Sequence, residues 1–263
     1  MAEQVADGVW WFHGTKGCNV YLVDCGGELI VVDPGFKENT RPVIRELEET
    51  APGRTLSRIF LTHAHRDHAG AAGRLRRLTG ATVLAGEGDT RPTESGQPVL
   101  SDGTAGGGPT ERVGRVIGRL RGRPATIPVD EVVDRRTEVA AGTVAIPVPG
   151  HTPGSLAFIL EDRDLAIVGD LVISHRDCLS RPMKMANSND EQYLETLARF
   201  AASAPASGLA GHGRPVIDTF GDELRELAGF PRRHLLSPGL IRDRARRFWN
   251  FGSWISNTRQ SED

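Results

Sequence analysis

The chain predicts an α+β fold in which an antiparallel meander leads into strand–helix–strand units. Three observations carry that expectation. Short β-branched and aromatic runs separated by glycine turns fill the N-terminal stretch. An apolar strand, a helical stretch and another strand then follow over 59–85, an order that implies parallel pairing. In the second half, apolar strands end one after another in a histidine or aspartate flanked by glycine or proline.

Val9–Phe12, Val20–Val23 and Leu29–Asp33 form the meander, with Gly26-Gly27 as one of its turns. Asp33-Pro34-Gly35 closes the third strand, where an aspartate is by default a turn residue. Thr40 is expected to cap a helix with Pro42 in its first turn and Val43, Ile44 and Leu47 on one face. Ile59-Phe60-Leu61 reads as a buried strand, Ala69–Leu78 as a helix and Thr82–Ala85 as the next strand.

The stretch from Gly86 to Pro128 is the least regular. Its glycine-rich run, Ser101–Pro109, is not a phosphate loop, because no Gly-Lys-Ser/Thr follows it. Val113, Val116, Ile117 and Leu120 recur at helical spacing, with Arg112, Arg115, Arg119, Arg121 and Arg123 on the polar side. A solvated helix face is the ordinary reading of such a charge run. A lid or an anion-attracting wall is the functional one.

Thr143–Val148, Leu156–Leu160 and Leu165–Val168 are the strands of the second half. Ser188-Asn189-Asp190-Glu191 fits a capping box for a helix striped by Leu194, Leu197, Ala198 and Ala201. Ser237-Pro238 opens a final amphipathic helix, with Ile241, Ala245 and Phe248 opposite Arg242, Arg244, Arg246 and Arg247. Such a basic helix can bind membranes, but more often covers the domain's own core or a dimer contact, so a homodimer is an open expectation.

Composition narrows the classes. Lys+Arg 32 against Asp+Glu 34 gives a formal net charge of −2, which points to neither nucleic acid nor an anionic membrane as partner. No apolar run approaches the roughly 20 residues that span a bilayer. Residues 1–7 lack the basic and apolar blocks of a signal peptide. Cys18, Cys25 and Cys178 are an odd, sparse set, so a reducing cytoplasm without disulfides is expected.

The chemistry concentrates in His63-Ala64-His65-Arg66-Asp67-His68, on the turn after the Ile59–Leu61 strand. Imidazole and carboxylate are ligands that Zn²⁺, Fe²⁺ and Mn²⁺ accept. The bland alternative, a polar surface turn, does not account for three of eight histidines falling within six positions. His151 within Pro149-Gly150-His151-Thr152-Pro153-Gly154, Asp170 after Gly169, and His212 between Gly211 and Gly213 each have a structural reading alone. Together with the cluster they make five histidines and two aspartates. Such a set suits two metals that share a carboxylate, each keeping a position open for water.

In these four motifs and their order the chain resembles the metallo-β-lactamase-fold hydrolase superfamily, with Asp33 matching its early strand-end aspartate. The resemblance spans about Val9 to His212. It implies an αβ/βα four-layer sandwich, two mixed β-sheets flanked by helices with the metals at one edge. It also implies a catalytic domain over 1–230, leaving 231–263 as a helical extension packed on or near it. By the same resemblance His63, His65 and His151 bind the first metal. Asp67, His68 and His212 bind the second, Asp170 bridges, and Asp33 braces the histidine turn from behind. Two divalent ions are implied, zinc first, with iron or manganese as alternatives. A bridging hydroxide would attack a carbonyl, and Asp67 could pass a proton to the leaving group.

Within the superfamily, an aspartate at position 170 argues against a true β-lactamase, and no substrate arm of the tRNA-processing nucleases is found. Layout is closest to the glyoxalase II-type thioesterases and the lactonases. However, Ser174–Arg181 does not carry the Gly-Cys-Gly-Arg stretch of the former, and neither Tyr21 nor Tyr193 can be matched to the catalytic tyrosine of the latter. The expectation is a hydrolase of a carboxylic ester, thioester or lactone on a small-molecule substrate. Arg176, Arg181 and Lys184 are candidates to grip an acidic group, against the plain surface-charge reading. His13, His175 and His234 read as structural or surface residues. A mononuclear iron enzyme of the sulfur dioxygenase type is the chemical rival. A nuclease or phosphodiesterase, or a non-catalytic protein of this fold, is weaker still.

Overall fold

The computed structural model describes residues 2–101, 126–175 and 178–231. The helix expected around Val113–Leu120, the C-terminal helix after Ser237, Arg176 and His234 lie outside the described residues. Strands β1 Ala2–Ala6, β2 Val9–Phe12, β3 Val20–Cys25 and β4 Glu28–Val32 form the opening meander. They continue into β5 Leu56–Phe60 and β6 Thr82–Gly86. After a hairpin of β7 Thr90–Pro92 and β8 Pro98–Leu100 comes β9 Glu131–Val133. The first sheet has the order β1-β2-β3-β4-β5-β6-β9, antiparallel as far as β4 and parallel thereafter.

The second half supplies β10 Thr137–Ala140, β11 Thr143–Pro147, β12 Leu156–Leu160 and β13 Leu165–Gly169. A small pair, β14 Ile173–Ser174 and β15 Leu179–Ser180, precedes the last strand, β16 Ser207–Ala210. Its sheet runs β10-β11-β12-β13-β16, with only the final pair parallel.

Alternation along the strands produces the layers, because successive side chains point to opposite faces. On β3, Val20 and Leu22 face a core shared with Val43 and Leu47 of the helix Thr40–Thr50 and Leu75 of the helix Ala72–Thr79. Tyr21 and Val23 face the other way, into a core between the sheets. On β13, Leu165 and Ile167 enter that same central core. Ala166 and Val168 pack on Tyr193, Leu197 and Leu224 from the helices Asp190–Ala201 and Phe220–Gly229. Helix, sheet, sheet and helix therefore stack in four layers. Strands buried on both faces also explain why β4 and β13 read as unbroken apolar runs. At the centre, Phe60 and Phe158 stack across the two sheets with ring centroids 4.9 Å apart.

Local readings differ from the structure in a few places. Thr40 does not cap its helix: a 3₁₀ turn, Lys37–Asn39, precedes it, and the Thr40 hydroxyl donates to Lys37 O. The helix expected over Ala69–Leu78 is split into Arg66–Ala69 and Ala72–Thr79, since Ala71 N is drawn to Gly35 O. Asn189 rather than Ser188 caps the later helix, accepting from Gln192 N, while Ser188 Oγ donates to Gly150 O. Strand β1 and the β7–β8 hairpin were not legible, being short and weakly patterned.

Candidate metal centre

The candidate ligands leave strand ends at one edge of the sandwich. Parallel neighbours β4 and β5 bring Asp33 beside Thr62, whose backbone N donates to Asp33 Oδ1 at 2.8 Å. Parallel neighbours β13 and β16 likewise release Asp170 and His212 together, with Gly211 N bonded to Gly169 O at 2.8 Å. His151 sits on the turn between β11 and β12, where Leu156 N donates to Thr62 O at 2.7 Å and joins the edges of the two sheets.

The structure brings all seven together. His63 Nε2 and His151 Nε2 lie 2.9 and 3.1 Å from His65 Nδ1, so three ring nitrogens converge on one point. Asp170 Oδ2 is 3.4 Å from His151 Nε2, and its Oδ1 is 3.4 Å from His68 Nε2 and 3.5 Å from His212 Nε2. Asp67 Oδ2 completes the far side, 3.8 Å from His68 Nε2 and 3.6 Å from His212 Nε2. Two clusters thus flank one carboxylate.

The surrounding hydrogen bonds decide which nitrogens point inward. His68 Nδ1 donates to Asp33 Oδ2 at 2.8 Å, and His151 Nδ1 donates to Asn187 Oδ1 at 3.0 Å. Thr62 Oγ1 gives its single proton to Asp33 Oδ2 at 2.5 Å, so it accepts from His63 Nδ1 at 3.1 Å. In the neutral form of each of the three rings the Nε2 lone pair is left for the centre, as a ligand tautomer requires. Burial, with His68 and His65 nearby, holds the His63 pKa well below its ordinary value, and burial with His151 pushes His65 down to about 4. Burial opposes charge on His68 as well, but Cys18, Asp170, Asp33 and Asp67 around it raise its pKa. Burial would likewise neutralise Asp170, yet His212 and His68 hold its carboxyl well below the carboxylate range.

These residues fit divalent cations. His68 Nε2 and Asp170 Oδ1 are buried with no hydrogen-bond partner among the described residues, a costly state for two polar atoms aimed at one place. The donor set is nitrogen and carboxylate oxygen, with His63, His65, His151 and Asp170 in one group and Asp67, His68 and His212 in another. A Cβ on Gly211 would meet Asp170 Oδ1 at 2.5 Å and His68 Cε1 at 2.7 Å, so glycine there keeps the cradle clear.

The basic candidates fare differently. Arg181 does not fit a substrate role: its guanidinium donates to Leu227 O at 2.5 Å and Phe230 O at 2.6 Å, tying down the end of the last described helix. Lys184 lies on the exposed 3₁₀ turn Lys184–Ala186, just before Asn187. Tyr21 and Tyr193 are fully buried, donating to Ala210 O and Leu171 O, each at 2.8 Å. His175 pairs with Ser180 Oγ and His13 with Glu3. Cys18 and Cys25 are buried thiols outside any disulfide, and burial pushes the Cys18 thiol up to about 12. Sequence reading missed Thr62, Asp89 and Asn187. Of these only Asp89, which follows Gly86-Glu87-Gly88 at the end of a strand, carried a signal.

The chain is similar in sequence to curated proteins. An atrochrysone carboxyl ACP thioesterase of Claviceps purpurea is 26% identical over 87% of this chain and 62% of its own. A hydroxyacylglutathione hydrolase of Cereibacter sphaeroides is 29% identical over 67% of this chain and 62% of its own. The chain therefore spans rather less than two thirds of the length of either. Among solved structures, TTHA1623 in a di-iron-bound form superposes with a TM-score of 0.56 at 22% identity, over 76% of this chain and 89% of that one. The model of the metallo-beta-lactamase superfamily matches residues 13–233. With four sandwiched layers and ligand-bearing turns at one edge, the chain belongs to that superfamily.

Proposed function

We propose that the protein is a hydrolase of a carboxylic ester, thioester or lactone, working from a two-metal centre. The observation that carries this is the placement of Asp170 between two complete donor clusters. His63, His65 and His151 would hold one ion, Asp67, His68 and His212 the other, and Asp170 both. Divalent ions there supply Lewis acidity and a water whose pKa falls to roughly 7 from 15.7. The donor set accepts zinc, and the di-iron form of a structural relative supports iron as a second occupant.

The chain's own residues set the rest. Asp33, Thr62 and Asn187 orient His68, His63 and His151. The Asp67 side chain is 24% exposed against 12% for Asp170, which makes it the carboxylate able to exchange a proton with a leaving group. Lys184, flanked by exposed Met183 and Met185 on the turn beside Asn187, suits a substrate with an apolar portion and an acidic group. The relatives named as an ACP thioesterase and a hydroxyacylglutathione hydrolase support an acyl thioester among the three bond types.

The test is a panel of esters, thioesters, lactones and phosphodiesters on purified protein whose metal content has been quantified. Turnover of one acyl class, lost with chelation and restored by metal, is the expected result. One equivalent of iron with oxygen consumption and no hydrolysis would overturn the reading.

A further inference from the structure

Ligands from both halves of the chain must meet within a few tenths of an ångström, so something has to hold the halves in register at the site. Two side chains outside the ligand set do so, each at a different cluster. The Asp89 carboxylate is 2% exposed and follows Gly86-Glu87-Gly88 at the end of β6. Its Oδ2 accepts from Ala64 N, between His63 and His65, at 2.8 Å. The same oxygen accepts from Thr152 Oγ1, next to His151, at 2.8 Å, and Oδ1 accepts from Gly154 N at 2.9 Å. One carboxylate thus joins the two turns that carry the three convergent nitrogens. The contact is close as well as polar, since a Cβ on Gly88 would meet the Pro153 carbonyl carbon at 2.4 Å.

Asn19 does the corresponding work on the other side. Its Nδ2 donates to Ala210 O at 2.9 Å and Gly213 O at 2.6 Å, its backbone N donates to Gly211 O at 2.7 Å, and Trp11 Nε1 donates to its Oδ1 at 3.1 Å. The β2–β3 region of the first half therefore grips the loop that presents His212 from both sides. Neither Asp89 nor Asn19 touches the other's cluster in these contacts.

We infer that Asp89 and Asn19 are paired positioning residues, Asp89 setting affinity at the His63–His65–His151 site and Asn19 at the Asp67–His68–His212 site. Each acts by fixing a turn of one half against a turn of the other. The inference rests on the two-metal reading, and predicts that the sites can be weakened one at a time from outside the ligand set. Removing an oriented partner of a ligand typically costs about ten- to a hundredfold in metal affinity.

Stepwise titration of the metal-free full chain with Co²⁺, followed by d–d absorption against a competing chelator, reads both sites without activity. His151→Ala and His212→Ala identify the steps. Asp89→Asn should weaken the step lost in His151→Ala by about tenfold or more and leave the other within about twofold. Asn19→Ala should show the reverse. Thr152→Val, which removes only one donor to Asp89, keeps the question open to test if Asp89→Asn fails to fold, and should weaken the same step. Equal weakening of both steps in each variant, or no change in either, overturns the positioning assignment. Wild-type protein that takes up no Co²⁺ overturns the two-metal reading instead.

Discussion

The Asp33 carboxylate accepts the Nδ1 proton of His68 at 2.8 Å, with both side chains buried. The same carboxylate takes Thr62 N and Thr62 Oγ1, so three donors depend on one residue. Asp33→Ala leaves them unsatisfied in a dry environment, at about 1–3 kcal/mol for each buried group left unpaired. The expected outcome is a stability loss of about 2–4 kcal/mol in urea denaturation and metal affinity about ten- to a hundredfold weaker. A variant with wild-type metal retention would show that the brace is dispensable.

His65 offers the nitrogen on which the other two converge. His65→Ala should abolish hydrolysis and lower bound metal by about one equivalent, read by elemental analysis beside the activity assay. An unchanged rate would refute its assignment as a ligand.

Gly211→Ala tests the cradle by filling it. The added methyl meets Asp170 Oδ1 and His68 Cε1, so we expect metal occupancy and activity to fall by about tenfold or more while circular dichroism stays native. Full occupancy in the variant would mean that the carboxylate and imidazole have room to retreat.

The fold itself is most exposed to change at its centre. Phe158→Ala removes a fully buried ring stacked on Phe60 and should cost about 3–5 kcal/mol, read from the urea midpoint. A loss below about 1 kcal/mol would indicate that the sheets collapse onto the gap.

Arg76 donates to both oxygens of Asp130, at 2.7 and 3.1 Å, and Val83 N donates to one of them. The Arg76 contact holds the Asp130 pKa below its ordinary 3.8, against a smaller opposing effect of burial. Its ionised form is thus favoured in the native state. The contribution is complete above the unfolded-state pKa and is lost as pH falls through the lower native value. The pair is a quarter to a third exposed, so screening keeps the effect of Asp130→Asn to about 1 kcal/mol at pH 7. The gap between wild type and variant should close when the urea midpoints are repeated near pH 3, and a gap that widened on acidification would contradict the sign.

Much of this was legible because period and chemistry agree. The apolar runs of β3–β6 and β11–β13 mark strands whatever surrounds them, and glycine beside His151, Asp170 and His212 marks where strands stop. Local hydrogen bonding was harder to read. Asn189 displaced Ser188 as a cap because Ser188 Oγ had Gly150 O to bond, a partner distant in sequence. Arg181 was misread for the same reason, since the carbonyls it serves belong to a helix end beyond position 226. Asp89 and Asn19 join segments that no sequence window contains together.

The parallel pairing of β13 with β16 has a consequence for how such a protein can change. Asp170 and His212 are spaced by a ladder of backbone bonds rather than by the connection running from one to the other. That spacing is nearly indifferent to side-chain identity in the exposed turn around Met183 to Ala186. Substitutions on the outward side chains of that turn therefore leave the Asp170–His212 spacing as it is.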